Sequence, residues 1–241
     1  MKIDATSLSA ELGLNVECFS TISSTLDYVL DKISNCLPVA DLVVALHQTS
    51  GKGREGKRFY SPSNTGIYVT FVFATDRFDR SFLTPRCAFA LRRSIEKVFS
   101  IKTGIKWVND LYFGGRKVAG ILVRARDDRL LVSFGVNIEM PEFVPDEIKD
   151  RFGSLTVSCD ESKYQQLVVT LYRELIKARN VTKQDLLLDY RENCVHLGRN
   201  VRLYYNENWI TGKCIGIADD FSLLLRTDEG IRSYSSGILD I

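Results

Sequence analysis

Apolar positions in this chain keep two rhythms, one of period near 3.6 and one of period 2. Leu26, Val29, Leu30 and Ile33 recur at helical spacing within Ser24–Ile33, and Ser23, Ser24 or Thr25 is placed to cap that helix. Asp41–Leu46 (DLVVAL) is a short apolar run suited to a buried strand, and Gly66–Ala74 (GIYVTFVFA) is β-branched and aromatic. Ala88, Leu91, Ile95 and Val98 return the helical period between Pro85 and Phe99, with Pro85 in the first turn. Ile105–Phe113 and Lys117–Arg124 flank Gly114–Gly115 and read as a hairpin, and Arg129–Ile138 reads as a further strand. Tyr164, Leu167, Val168, Leu171, Leu175 and Ile176 mark a long helix. Thr182 caps another that carries Leu186, Leu187 and Tyr190. The pattern predicts an α+β protein built on a mixed β-sheet flanked by helices.

The rhythm changes near Gly198. VRLYY, WITGKCIGI, SLLLRT and IRSYSS follow one another, separated by Asn, Asp, Gly and Glu clusters. Four short strands with turn chemistry predict a small C-terminal β-barrel or sandwich. The sequence therefore divides into 1–195 and 196–241, the smaller part leaning on the larger for stability.

Composition adds exclusions. The chain has 241 residues, 45% of them hydrophobic and 26% charged, in the ordinary range for a globular protein. Lys plus Arg total 32 against 30 Asp plus Glu, so no global field draws DNA or a membrane surface, and any anion site is local. No apolar run reaches the roughly 20 residues that span a bilayer, and the first residues lack the apolar core of a secretory signal. A cytoplasmic protein is expected. The six cysteines form no CxxC pair and His47 and His196 form no HExxH, so spacing offers no protein-held metal and no Cys–His nucleophile. Six buried thiols in a reducing compartment is the expectation.

The densest chemistry is Gly51-Lys52-Gly53-Arg54-Glu55-Gly56-Lys57-Arg58, directly after the DLVVAL strand. It contains G-x-G-x-x-G, yet Phe59-Tyr60-Ser61-Pro62 follows where a dinucleotide site needs a helix. It contains G-x-x-x-x-G-K, yet Arg58 stands where a P-loop needs Ser or Thr. No HRD, DFG or VAIK sequence supports a kinase. What is left is an anion-binding loop, in which glycines let backbone N–H groups converge and Lys and Arg supply charge. A second constellation lies on the hairpin: Lys106, Asn109 and Asp110 before the turn, Lys117 and Gly120 after it. Opposed strands bring the Lys-Asn-Asp cluster close to Lys117, and the small apolar run after Lys117 holds it as a fixed cation. Gly135 and Asn137 then close a strand.

In this order, Ser-Ser-Thr before a helix, Gln48, GKGREGKRFYSP, KWVNDL, RKVAGIL and GVNI, the motifs resemble the biotin–protein ligase family. The resemblance implies a class II synthetase-like catalytic domain with a small SH3-like C-terminal domain, and the type without an N-terminal helix-turn-helix. It implies that ATP, with Mg²⁺, activates biotin to biotinyl-5′-AMP, and that a lysine of a biotin carboxyl carrier protein domain then attacks. Joining two anions needs cations at the developing charge. Lys117 matches the lysine between the biotin carboxylate and the α-phosphate, with Asp110, Lys106 and Arg54 as further catalytic candidates. Ser24, Thr25, Gln48, Lys52, Gly53, Arg54, Lys117 and Gly120 match the biotin contacts. Lys52, Arg54, Phe59, Asn109 and Asn137 match the nucleotide contacts. No metal ligand set is implied beyond Mg²⁺ with ATP, and the resemblance implies a homodimer through a sheet edge. The chain departs from the family pattern at Lys52 (usually Arg), Phe59 (usually Trp, here kept as an aromatic lid), Val108 (usually Pro) and Leu26 (usually Asn). A lipoate–protein ligase or octanoyltransferase acting on a lipoyl carrier is the alternative.

Overall fold

A computed structural model describes residues 3–77 and 82–240. In chain order the elements are α1 (Ala5–Leu12), β1 (Val16–Phe19), α2 (Thr25–Ser34), β2 (Leu42–Ala45), β3 (Gly66–Ala74), α3 (Leu83–Phe99), β4 (Gly104–Lys106), β5 (Asp110–Phe113), β6 (Arg116–Arg126), β7 (Arg129–Asn137), α4 (Ser162–Ala178), α5 (Lys183–Glu192), β8 (Asn200–Tyr205), β9 (Asn208–Ile217), β10 (Leu223–Thr227), β11 (Gly230–Tyr234) and β12 (Ile238–Asp240). The caps follow the sequence chemistry: Ser24 Oγ accepts from Asp27 N–H at the start of α2, and Thr182 Oγ1 from Asp185 N–H at the start of α5. α1 and β1 were not anticipated, because neither carries a run long enough to show its period.

Strands β1 to β7 form one mixed sheet in the order β1-β2-β3-β7-β6-β5-β4, with β1 parallel to β2. The period-2 alternation sorts side chains to its two faces. Leu42 and Val44 of β2, Ile67, Val69 and Phe71 of β3, and Leu130, Val132 and Phe134 of β7 enter the large core beside Leu91 and Ile95 of α3 and Leu167 and Leu171 of α4. Val43 and Leu131 point the other way and pack under Leu26 and Val29 of α2. That second face is only partly covered by α2. Its uncovered part carries Ser133, Gly135 and Asn137, small or polar residues that leave room for a ligand.

The segment Ile105–Phe113 is two strands, not one. β4 ends at Lys106, the chain turns through Trp107–Asn109, and β5 returns antiparallel with Asp110 opposite Lys106. The hairpin across Gly114–Gly115 is present as expected, both glycines at positive φ (57° and 77°).

Residues 200–240 form a five-stranded antiparallel sheet, β11-β10-β9-β8-β12, one strand more than the sequence pattern indicated. Its core is continuous with the large one through Val201, Leu203, Cys214, Ile217 and Leu223. Phe221 is the joint: its ring meets Phe82 at 5.0 Å and Tyr190 at 5.6 Å, and its carbonyl accepts from Trp107 Nε1 at 2.9 Å. The cysteines do not all lie inside. Cys87 and Cys214 are buried, Cys18, Cys159 and Cys194 are half-buried and Cys36 is exposed, since α2 ends just before Cys36 and turns it outward.

Candidate active site

The uncovered sheet face, the glycine loop and the edge of the C-terminal sheet enclose a cleft of about 1400 Å³. Every site residue singled out from the sequence lines it: Ser24, Thr25, Gln48, Lys52, Gly53, Arg54, Phe59, Lys106, Asn109, Asp110, Lys117, Gly120 and Asn137.

At one end runs a chain of neutral polar groups. The Thr25 N–H and hydroxyl both donate to Gln48 Oε1 (2.9 and 3.3 Å), and Gln48 Nε2 donates to Ser61 Oγ at 3.0 Å. Thr25 and Thr70 hydroxyls lie 2.9 Å apart, as do Thr70 and Ser133. Ser61 and Thr70 were missed as site residues. The β3–β7 register sets Thr70 opposite Ser133 and beside Thr25, and Ser61 joins from its loop through Gln48. Ser24 is nearly inaccessible, its hydroxyl already engaged as the α2 cap.

At the centre sits the ion pair of Lys117 Nζ and Asp110 Oδ1, 2.7 Å apart, with side chains 30% and 19% exposed. A bulge in β6 places it. Leu111 pairs with Ala119 but Tyr112 pairs with Lys117, so Val118 and Ala119 both enter the core while Lys117 and Gly120, three positions apart, both face the cleft. Burial pushes the Lys106 ammonium below its usual range, with Lys117 acting in the same direction and Asp110 opposing it. Phe59 is a wall here and not a lid. Its ring lies over the sheet, where a Cβ at Gly135 would come within 2.5 Å and one at Gly120 within 2.9 Å of it, and the Lys117 ammonium faces it at 5.4 Å. A Cβ at either glycine would push the ring off the sheet.

The glycine loop is folded. Lys52 bridges to Arg58, Gly53 N–H donates to Lys57 O, and Phe59 N–H donates to Gly51 O. Three of its cations have partners: Lys52 Nζ sits 3.1 Å from Asp27, Arg58 donates to Thr49 O, and Arg54 Nη1 reaches Asn109 Oδ1 at 3.3 Å and Gly237 O at 3.5 Å. The loop thus touches both sheets, and Arg202, Trp209 and Asp240 of the C-terminal sheet border the cleft, none of which the sequence pointed to. Asn137 Nδ2 donates to Gly153 O at 2.9 Å, while its Oδ1 has no partner among the described residues.

The model of the Biotin/lipoate A/B protein ligase family matches residues 18–140, half of the chain. The chain belongs to that family. The model of the Biotin protein ligase C terminal domain matches residues 196–240, the five-stranded sheet. Among relatives of this family member, the bifunctional ligase/repressor BirA of Bacillus spizizenii is 30% identical over 95% of this chain and 75% of its own length. The biotin–[acetyl-CoA-carboxylase] ligase of Mycobacterium tuberculosis is 26% identical over 67% of this chain and 64% of its own. The structure of the Aquifex aeolicus biotin protein ligase in complex with biotin and ATP superposes with a TM-score of 0.78 at 26% identity, covering 94% of this chain and 97% of that one. The α+β architecture expected from the hydrophobic pattern is therefore the architecture of the family. No helix among the described residues is long and apolar enough to cross a membrane.

Proposed function

We propose that the cleft joins biotin to ATP and passes the biotinyl group to a lysine of a carrier domain. The chain is an enzyme of biotin activation and transfer, with ATP and biotin as substrates. In the first half-reaction a biotin carboxylate oxygen attacks the α-phosphorus and pyrophosphate leaves. In the second, a lysine amine attacks the mixed anhydride carbonyl, gives up a proton, and AMP leaves.

The observation that carries the reading is a fixed cation, Lys117, sharing one cleft with a neutral hydrogen-bonding pocket and a cationic loop. The Ser61–Gln48–Thr25–Thr70–Ser133 chain presents amide and hydroxyl groups to a polar ureido ring. A polar ureido ring can exchange hydrogen bonds with this chain, whereas an apolar lipoyl tail makes none with it. Lys117 lies where the carboxylate meets the α-phosphate, and charge developing there is stabilised by a preorganised cation. Arg54 and Asn109 hold the nucleotide side, with Lys52 free to exchange Asp27 for phosphate. Asn137 Oδ1 is a buried acceptor that a nucleotide hydroxyl or hydrated Mg²⁺ satisfies. Asp110, paired to Lys117 and opposite Lys106, orients the incoming amine. The carrier is the biotin carboxyl carrier domain of a carboxylase, and the site of action is the cytoplasm. The part from residue 196 onward serves as the small C-terminal domain.

The test is incubation with ATP, Mg²⁺ and labelled biotin or labelled lipoate without a carrier. Biotinyl adenylate alone is expected; lipoyl adenylate with no biotinyl product overturns the reading.

A further inference from the structure

Away from the cleft, the fold brings Cys214 of β9 to Cys194 and His196, two residues apart in the segment after α5. Their ligating atoms all lie within 4.8 Å of one another, with Cys194 Sγ 3.4 Å from His196 Nε2. None of the three lines the substrate cleft. We propose that they form a binding site for a zinc-class divalent cation that clips the end of α5 to the C-terminal sheet.

The geometry is close to what such an ion requires. Zn–S bonds of about 2.3 Å and Zn–N bonds of about 2.0–2.1 Å at tetrahedral angles separate neighbouring ligand atoms by about 3.5–3.8 Å. The backbone sets the three positions without help from the ion. Ile105 N–H donates to Asn193 O and Val195 N–H to Ile105 O, pinning the Cys194 segment against β4. Gly198 N–H donates to Cys214 O and Cys214 N–H to Arg199 O, pinning the His196 segment against β9. A cation held here ties together two backbone segments from opposite sides of the join between the sheets.

The chemistry of the donor set fits as well. His196 is fully buried, and its Nδ1 has no hydrogen-bond partner among the described residues. An imidazole with one nitrogen against a sulfur and the other unpaired is short of a partner. Lys106 and Arg199 place positive charge near it. Binding M²⁺ at both sulfurs as thiolates, with the two thiol protons released to solvent, leaves the metal and its sulfur ligands neutral in sum. Three protein ligands leave the fourth tetrahedral position to a water or other exogenous ligand.

The experiment strips the reduced, full-length protein with a chelator and titrates it with Co²⁺. The expected result is stoichiometric uptake with a thiolate-to-cobalt charge-transfer band, displacement of that band by Zn²⁺, and two thiols that lose reactivity toward a disulfide reagent. Cys194→Ser and Cys214→Ser should each weaken Zn²⁺ binding by at least about a hundredfold, a larger loss than outer-shell changes produce. Cys36→Ser, at an exposed thiol outside the cluster, should change nothing. If Cys214→Ser does not fold, the wild-type cobalt spectrum and the half-buried Cys194→Ser variant still decide. The absence of a charge-transfer band, or a band unchanged in Cys194→Ser, overturns the proposal. So does recovery of Cys194 and Cys214 as a disulfide from zinc-supplemented protein.

Discussion

Lys117 is the residue on which the chemistry turns, because a bulge, and not simple alternation, aims it at the cleft. Lys117→Ala should slow single-turnover formation of biotinyl adenylate by about 10²–10³-fold, the scale of losing one preorganised electrostatic partner. Its thermal transition should stay close to wild type, because both members of the ion pair keep some contact with water. An unchanged adenylation rate removes Lys117 from the role given to it. Lys52 is a different case. Its ammonium is held by Asp27 at 3.1 Å and both side chains are 41% exposed, so it is available to a phosphate but not fixed on one. Arg would grip the same phosphate with a planar fork. Lys52→Arg should therefore slow adenylate dissociation by about tenfold and Lys52→Gly should speed it, one decade being about 1.4 kcal/mol. Equal dissociation rates for Lys, Arg and Gly would show that the loop does not retain the intermediate through this side chain. The sequence disclosed both lysines because each sits in a recognisable local motif, the glycine loop for Lys52 and the hairpin for Lys117. It did not disclose Ser61 or Thr70, whose partners Gln48 and Ser133 lie on other strands or loops.

At the scale of elements, helices with long periodic stripes were legible and their charged faces were not. The α3 stripe was evident, yet Arg86 and Arg92 on that helix are buried. Arg92 donates to Thr103 O and pairs with Asp189 of α5 at 2.6 Å, and Arg86 donates to Ala178 O and Val181 O beyond α4. A periodicity argument assigns such residues to solvent because their partners are remote along the chain. The α3–α4 seam offers a test. Glu174 of α4 is buried at 5% exposure and meets Lys97 at 2.7 Å, Lys177 at 3.2 Å and Arg93 at 3.5 Å. Burial alone would raise its carboxyl, but hydrogen bonds from Lys97 and Lys177 outweigh it and hold the group below its usual 4.5. A lowered acid contributes stability that is complete above the unfolded value and drains away as pH falls through the folded one. Glu174→Gln should therefore destabilise by about 1–2 kcal/mol at neutral pH, the cations being half-exposed and screened. Variant and wild type should converge when denaturant unfolding is repeated well below pH 4.5. A gap that widens on acidification contradicts the assignment.

For the molecule as a whole, the C-terminal sheet looked like an appendage in the sequence because its strands are short and its turns frequent. The structure makes it part of the core. Phe221 packs tilted against Phe82 and edge-on against Tyr190, and Arg191 donates to Ile217 O and Asp219 at 2.8 Å each. Arg54 of the glycine loop reaches Gly237 O, so the same sheet borders the cleft. None of these contacts has a local signature: each joins residues that only the completed fold makes neighbours. The join is dominated by apolar packing, with Trp107 Nε1–H to Phe221 O as its buried hydrogen bond at 2.9 Å. Two parts that share one core should unfold together. Calorimetry of the wild type should show one cooperative transition. Trp107→Phe removes the donor and leaves the Phe221 carbonyl buried without it, which should cost about 1–3 kcal/mol. That cost should appear as a lower midpoint for the single transition, with no shoulder. Because Trp107 also lines the cleft between Lys106 and Asp110, the same substitution should slow transfer to the carrier beyond what lost stability explains. Two separated transitions in the wild type would mean that the sheets share a boundary but not a core, and the route from Phe221 through Trp107 to the reacting groups would then carry no mechanical coupling.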